Sequence, residues 1–139
     1  MDKEKVLAAL NHDLALELAA ITQYMWQHVM ARGIYSPPFR DRIKAIAIDE
    51  MKHAEALAER IVWLGGTPTT EPTHIRVGGD LAKMTEDDIK AEREAVQTYR
   101  DQLELVKDDP VTHRLLVKLI EDEEGHLDFF QSLAEGSAA

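Results

Sequence analysis

The sequence contains no cysteine, which excludes a disulfide framework, a thiolate metal site and a cysteine nucleophile. No run of about 18 or more uncharged apolar residues occurs, so a transmembrane helix is excluded. Positive charge is in deficit. Sixteen Lys and Arg face 26 Asp and Glu, giving a formal net charge of −10, which argues against a nucleic-acid surface and favours attraction of cations. The opening residues, MDKEKVLAALNHD, are acidic and amphipathic without an apolar h-region, so no cleaved signal peptide is expected. Cytoplasmic residence follows as the default. What is present, 139 residues at 45% hydrophobic and 30% charged, suits one domain with its own core.

Helical periodicity dominates the chain. Residues 3–32 carry Leu10, Leu14, Ile21, Tyr24 and Ala31 at alternating intervals of three and four, and the pattern stops at Gly33. Ser36 with Pro37 reads as an N-cap and first-turn proline, opening a second helix that runs to Leu64. Gly65 and Gly66 end it. The stretch TPTTEPTHIRVGG has no sustained period. Thr85, with Asp88 three residues on, resembles a capping box and starts a third helix. Asp109-Pro110 ends that helix and caps a fourth, which continues to about Gly136.

Connection lengths set the topology. Short loops after helices one and three make antiparallel hairpins. The connection from 65 to about 84 is far longer than such a turn needs. A helix of about 25 residues is ~37 Å long, and an extended crossover of about 20 residues spans up to ~65 Å. The chain can therefore traverse the whole bundle and begin helix three parallel to helix two. An all-α four-helix bundle with one long crossover is expected.

The inward stripe of helix two reads Ile43, Ile46, Glu50, His53, Leu57, Leu64. That of helix four reads Leu116, Ile120, Glu123, His126, Phe130, Leu133. Both present Glu-x-x-His to the core, and an i, i+3 pair shares one side of a helix. Helix one places Glu17 between Leu14 and Ile21. Helix three reads Ile89, Glu92, Val96, Tyr99, Leu103, Val106, with Glu94 turned to solvent. Each half of the chain is thus a hairpin carrying one lone Glu and one Glu-x-x-His. Paired by a pseudo-twofold axis, the hairpins bring four carboxylates and two imidazoles together.

Four ionised carboxylates cannot be buried together without compensation. Each costs several kcal/mol to desolvate, and without counterions some stay protonated at raised pKa. No seam position supplies Lys or Arg, but two divalent cations would balance four negative charges. Hard oxygen donors with one imidazole per ion suit iron or manganese. Two lone Glu with two Glu-x-x-His is the established donor set of di-iron and di-manganese carboxylate bundles.

With these residues in place, the chain resembles a bacterioferritin-type member of the ferritin-like superfamily over about Leu10 to Leu133. The resemblance is strongest in LNHDLALELAAITQY, IDEMKHAEALAERI and EDEEGHLDFF. It implies a single ferritin-like di-iron domain over 1–139. The family's ferroxidase ligands fall on Glu17, Glu50, His53, Glu92, Glu123 and His126, and its tyrosine near the metals on Tyr24. Met51 falls where bacterioferritins ligate haem b, one copy from each subunit across a twofold interface. The chain departs from the family at Ala45, where some bacterioferritins carry an iron-associated histidine. It departs again after Leu133, where AEGSAA stands in place of a fifth helix. Oxidation at the site is therefore implied more firmly than mineral storage, and a homo-oligomer, dimer at least, more firmly than a 24-subunit shell.

The resemblance implies ferroxidase chemistry on Fe(II) with dioxygen or peroxide, in iron storage or detoxification, without nucleic-acid or membrane partners. The alternative is a rubrerythrin-like peroxidase or oxidase using iron or manganese and an external electron donor. The remaining polar residues read as structural. His12, His74 and His113 are expected on the surface or in loops, and His28 as a hydrogen-bonded histidine at the end of the core. Trp26 and Trp63 are expected in edge or interface packing. Glu86, Asp87 and Asp88 are expected as a solvated first helical turn.

Overall fold

A computed structural model describes residues 1–138 and contains four long helices. These are α1 (Lys3–Met30), α2 (Ser36–Trp63), α3 (Leu81–Gln102) and α4 (Pro110–Ala138), with a short 3-10 turn at Glu104–Val106 before α4. The Asp2 carboxylate accepts from the Lys5 amide and opens α1, satisfying one of the helix's orphan donors. Ser36 does not cap α2. It is the first helical residue, and its hydroxyl donates instead to the Gly33 carbonyl at 2.7 Å. Pro37 and Pro38 occupy the first turn, where no amide is required.

Helix three begins five residues earlier than a capping box at Thr85 places it. Asp80 is the cap, accepting from the Lys83 amide at 2.9 Å. Thr85 lies inside the helix and donates its hydroxyl to the Leu81 carbonyl. Gly78 and Gly79, at φ 95° and 86°, take the left-handed backbone that ends the preceding segment. At the other end, Asp109 accepts from the Val111 and Thr112 amides, and both its carboxylate oxygens accept from Arg60 Nη2 at 2.9–3.0 Å. One residue thereby caps α4 and ties it to α2.

The crossover runs along α1. Asn11 exchanges hydrogen bonds with Thr67 and Thr69, the Thr73 amide donates to the Ala15 carbonyl, and the Arg76 amide donates to Gln23 Oε1. The contacts advance from residue 11 to residue 23 of α1, so the strap travels up the bundle. That delivers α3 parallel to α2, the ferritin-like arrangement.

The apolar core is divided. One cluster gathers Val6, Leu10, Leu14, Leu57, Ile61, Tyr99, Leu116 and Leu119 at one end. The other gathers Tyr24, Phe39, Ile43, Ile46, Met84 and Phe130 at the opposite end. Fully burying a side chain such as Leu10 or Ile43 contributes about 1.5–3 kcal/mol, so the two clusters carry the fold. Between them lies a belt of acids and imidazoles.

Candidate metal centre

Glu17, Glu50, Glu92 and Glu123 are each no more than 1% exposed, and His53 and His126 no more than 5%. Each side chain is delivered by a different part of the bundle. Glu17 comes from the middle of α1 and Glu92 from the middle of α3, while α2 and α4 each supply a Glu-x-x-His pair. All six residues that break the apolar stripes converge.

They form two overlapping sets. Glu17, Glu50, His53 and Glu123 make one, and Glu50, Glu92, Glu123 and His126 the other, with ligand atoms in each set within 4.8 Å of one another. Glu50 and Glu123 belong to both. His53 Nδ1 lies 3.1–3.6 Å from carboxylate oxygens of Glu123, Glu50 and Glu17. His126 Nδ1 lies 3.2–3.6 Å from those of Glu123, Glu50 and Glu92. The two imidazoles face each other with centroids 6.3 Å apart.

The donor atoms at the centre lack hydrogen-bond partners. Glu17 Oε2, both oxygens of Glu50, Glu92 Oε2, Glu123 Oε1 and the Nδ1 atoms of both histidines are buried and unsatisfied. Their separations are short, but the angles do not make hydrogen bonds. Buried polar atoms are ordinarily satisfied, so an inward-facing ring of orphaned lone pairs fits a bound cation. Oxygen-rich sets with one imidazole each fit iron or manganese.

Outside this ring four of the six residues are oriented by a hydrogen bond. His53 Nε2 donates to Asp122 Oδ2 at 2.8 Å, and His126 Nε2 to Asp49 Oδ2 at 3.1 Å. A carboxylate behind the imidazole holds a proton on Nε2 and turns Nδ1 inward, the nitrogen whose lone pair an ion would use. The Tyr24 hydroxyl donates to Glu92 Oε1 at 2.6 Å, and Tyr99 to Glu17 Oε1 at 2.5 Å. Each brace crosses from one helix pair to the other.

The titration of the cluster reflects its crowding. Burial and then the neighbouring carboxylates push Glu17 and Glu50 up to about 7. Glu92 is raised well above the usual range for the same reasons, and Glu123 is also raised. Burial alone would depress the two histidines. Contacts to three glutamates each outweigh it and push both rings well above the usual imidazole range. In the metal-free protein, protons occupy the role that cations would take.

Several residues escaped the sequence reading. Asp49 and Asp122 lie beside the apolar stripes, and Tyr99 within its stripe reads as core. Asp87 and Asp88 are not a solvated turn: both are buried, and only Glu86 is exposed. Asp88 Oδ1 accepts from Gln23 and Gln27 at 2.9 and 2.7 Å, and Asp87 pairs with Lys83. Asp13 is equally buried and accepts from Gln102 at 2.7 Å. The findable signal was repetition. Asp-x3-Glu-x6-Tyr-x2-Gln occurs at Asp13 to Gln27 and again at Asp88 to Gln102, and Asp-Glu-x2-His at Asp49 and again at Asp122.

The other expectations divide cleanly. His28 sits at the end of the core with Nδ1 2.7 Å from the Arg40 carbonyl, and His12 and His74 are exposed. Trp63 is 78% exposed at an edge. Met51 stands apart from the centre on the outer face of α2, 55% exposed. No helix among the described residues is long and apolar enough to cross a membrane.

Comparison with known proteins agrees with this architecture. The ferritin-like domain family matches residues 7–137. The bacterioferritin of Desulfovibrio desulfuricans is 40% identical over 134 residues, covering 94% of this chain and 75% of that protein. The bacterioferritin of Brucella melitensis is 31% identical over 131 residues, covering 92% and 81%. Among solved structures, a ferritin-like diiron-carboxylate protein from Bacillus anthracis superposes with TM-score 0.89 at 34% identity, over 96% of this chain and 98% of that one. The Desulfovibrio desulfuricans bacterioferritin, whose structure describes a diiron site in different catalytic states, gives TM-score 0.90 at 38% identity, over 96% and 80%.

Proposed function

The chain belongs to the ferritin-like domain family, and from that premise we propose that it oxidises Fe(II) at Glu17, Glu50, His53, Glu92, Glu123 and His126, in iron storage or detoxification. The observation that supports this reading is the ring of buried, partnerless donor atoms shared between two overlapping sets. Two bound irons would supply one-electron redox chemistry toward dioxygen or peroxide.

The chain's own residues do the rest. Four glutamates balance four positive charges, and hard anionic oxygens favour the more highly charged oxidised ion. Glu50 and Glu123, common to both sets, fix the spacing of the two positions. Asp122 and Asp49 hold the imidazoles with Nδ1 inward. Tyr24 and Tyr99 keep one oxygen each of Glu92 and Glu17 in a hydrogen bond and leave the other for the ion. The apolar clusters above and below exclude bulk water. Loading displaces protons from the histidine Nδ1 atoms and from the raised glutamates, so uptake strengthens as pH rises through about 7.

Anaerobic Fe(II) titration followed by oxygen tests the reading. Glu17→Ala, Glu92→Ala and His126→Ala should each lose most of the oxidation rate; full rate in any of them contradicts it. On the same premise the protein is a cytoplasmic assembly of identical chains. On that reading Met51, outward on α2, would hold haem between two copies. Solution mass above one chain, with a Soret band lost in Met51→Ala, is the expected outcome.

A further inference from the structure

A narrow passage connects the centre to the surface between α1 and α3. Its inner end is lined by Glu17, Glu50, Glu92 and Glu123, and its outer end by Thr73, His74, Arg76 and Glu94. The two helices flank it with Ala19, Ala20, Ala91 and Ala95, side chains too short to close the gap. The free space is about 20 Å³, enough for about one water molecule and too little for a cation with its hydration shell.

The outer end is covered by the crossover. Its backbone is pinned on either side of the opening, by the Thr73 amide on Ala15 and the Arg76 amide on Gln23. Gln23 is anchored in turn to buried Asp88. The strap is therefore fixed, and the Arg76 side chain is what remains to swing. Its guanidinium reaches Glu94 on α3 at 3.5 Å, with the two side chains 24% and 48% exposed. An ion pair this long and this wet is weakly held.

Within the repeat that relates α1 to α3, Ala19 of α1 corresponds to Glu94 of α3. The passage thus lies on the pseudo-twofold axis, and Glu94 is where the second half replaces a small neutral residue with a charge. Only this half can latch an arginine across the opening.

We propose that Arg76, latched to Glu94, gates the passage by which a divalent cation reaches the buried glutamates. The inference rests on the metal-binding reading above. While latched, Arg76 narrows the opening and sets a positive charge in the path of a cation. When it swings out, the opening widens and the positive charge leaves the cation's path.

Stopped-flow binding of Co(II) to the metal-free protein, followed by visible absorption, tests the gate without turnover. Arg76→Ala keeps the backbone bond to Gln23, and Glu94→Gln keeps the side-chain shape. Both should speed Co(II) association and dissociation together, by about two- to fivefold, the range an exposed ion pair allows. The equilibrium constant should stay within about twofold, because neither residue touches the bound ion. The double variant should be no faster than the faster single one, since the pair acts as a unit. Rates unchanged in both variants would place cation access elsewhere. Rates moving in opposite directions would show that mouth charge alone matters, and would overturn the latch. A wild-type protein that takes up no Co(II) would instead sink the metal centre itself, and the gate with it.

Discussion

Asp88 shows how much a single acid can be misjudged from its neighbours. In sequence it follows Glu86 and Asp87 near a helix start, where acids ordinarily face water and the helix dipole. In the fold it is fully buried beneath Gln23 and Gln27. The six inward donors were legible because each interrupts an apolar stripe. Asp49 and Asp122 were not, because each precedes an inward Glu by one residue and sits at the stripe's edge, 46% and 27% exposed. From spacing alone such a position reads as a solvated face. Burial pushes the Asp88 carboxyl up to about 8, with the amides of Gln23 and Gln27 opposing the rise. Its folded value thus exceeds its unfolded one, so its contribution to stability is full at acid pH and is lost as pH rises toward 8. Asp88→Asn keeps the oxygen that accepts both amides and removes the titration. Urea unfolding of the metal-free protein should show the wild type losing stability between pH 5 and pH 8. The variant should lose about 1–3 kcal/mol less over that interval. An identical pH dependence in the two would show that Asp88 is not held protonated.

At the scale of the helix, boundaries were read where punctuation was unambiguous and missed where two signals competed. Gly33, Gly65 and Asp109-Pro110 mark the ends of α1 and α2 and the start of α4 close to where they fall in the fold, whereas α3 ends at Gln102 and not at Asp109. The start of α3 offered both Asp80 after two glycines and Thr85 with Asp88. The glycines decide it, because their positive φ stops the crossover at Gly79 and leaves Asp80 as the first residue able to cap. The crossover's length announced a change of direction. Its second role was not visible, because Asn11, Ala15 and Gln23 meet it only after α1 has folded. A segment that reads as a linker is in fact a cover seated on α1. Its pinned backbone is why gating is assigned to one side chain and not to the whole strap.

Across the whole molecule, the two hairpins interlock as near copies. Tyr24 of the first braces Glu92 of the second, and Tyr99 of the second braces Glu17 of the first. Asp49 orients His126, and Asp122 orients His53. Gln27 caps Asp88, and Gln102 caps Asp13. Half a centre is therefore worthless alone, since four of its six donor residues, Glu17, His53, Glu92 and His126, are positioned from the other half. This exchange explains how a chain can tolerate an acid belt that splits its core: the two apolar clusters fold the hairpins together, and the braces fix the donors. The sequence pattern predicted that the six residues would meet; only the fold shows that orphaned donor atoms face inward while both imidazole Nε2 atoms and one oxygen each of Glu17 and Glu92 are engaged from behind. The most direct test is anomalous scattering from crystals grown with Fe(II) or Mn(II), measured at the metal's absorption edge. Two peaks are expected, one among Glu17, Glu50, His53 and Glu123 and one among Glu50, Glu92, Glu123 and His126. No peak there, with His53 and His126 still turned toward the glutamates, would contradict the claim that these acids are buried to hold dications.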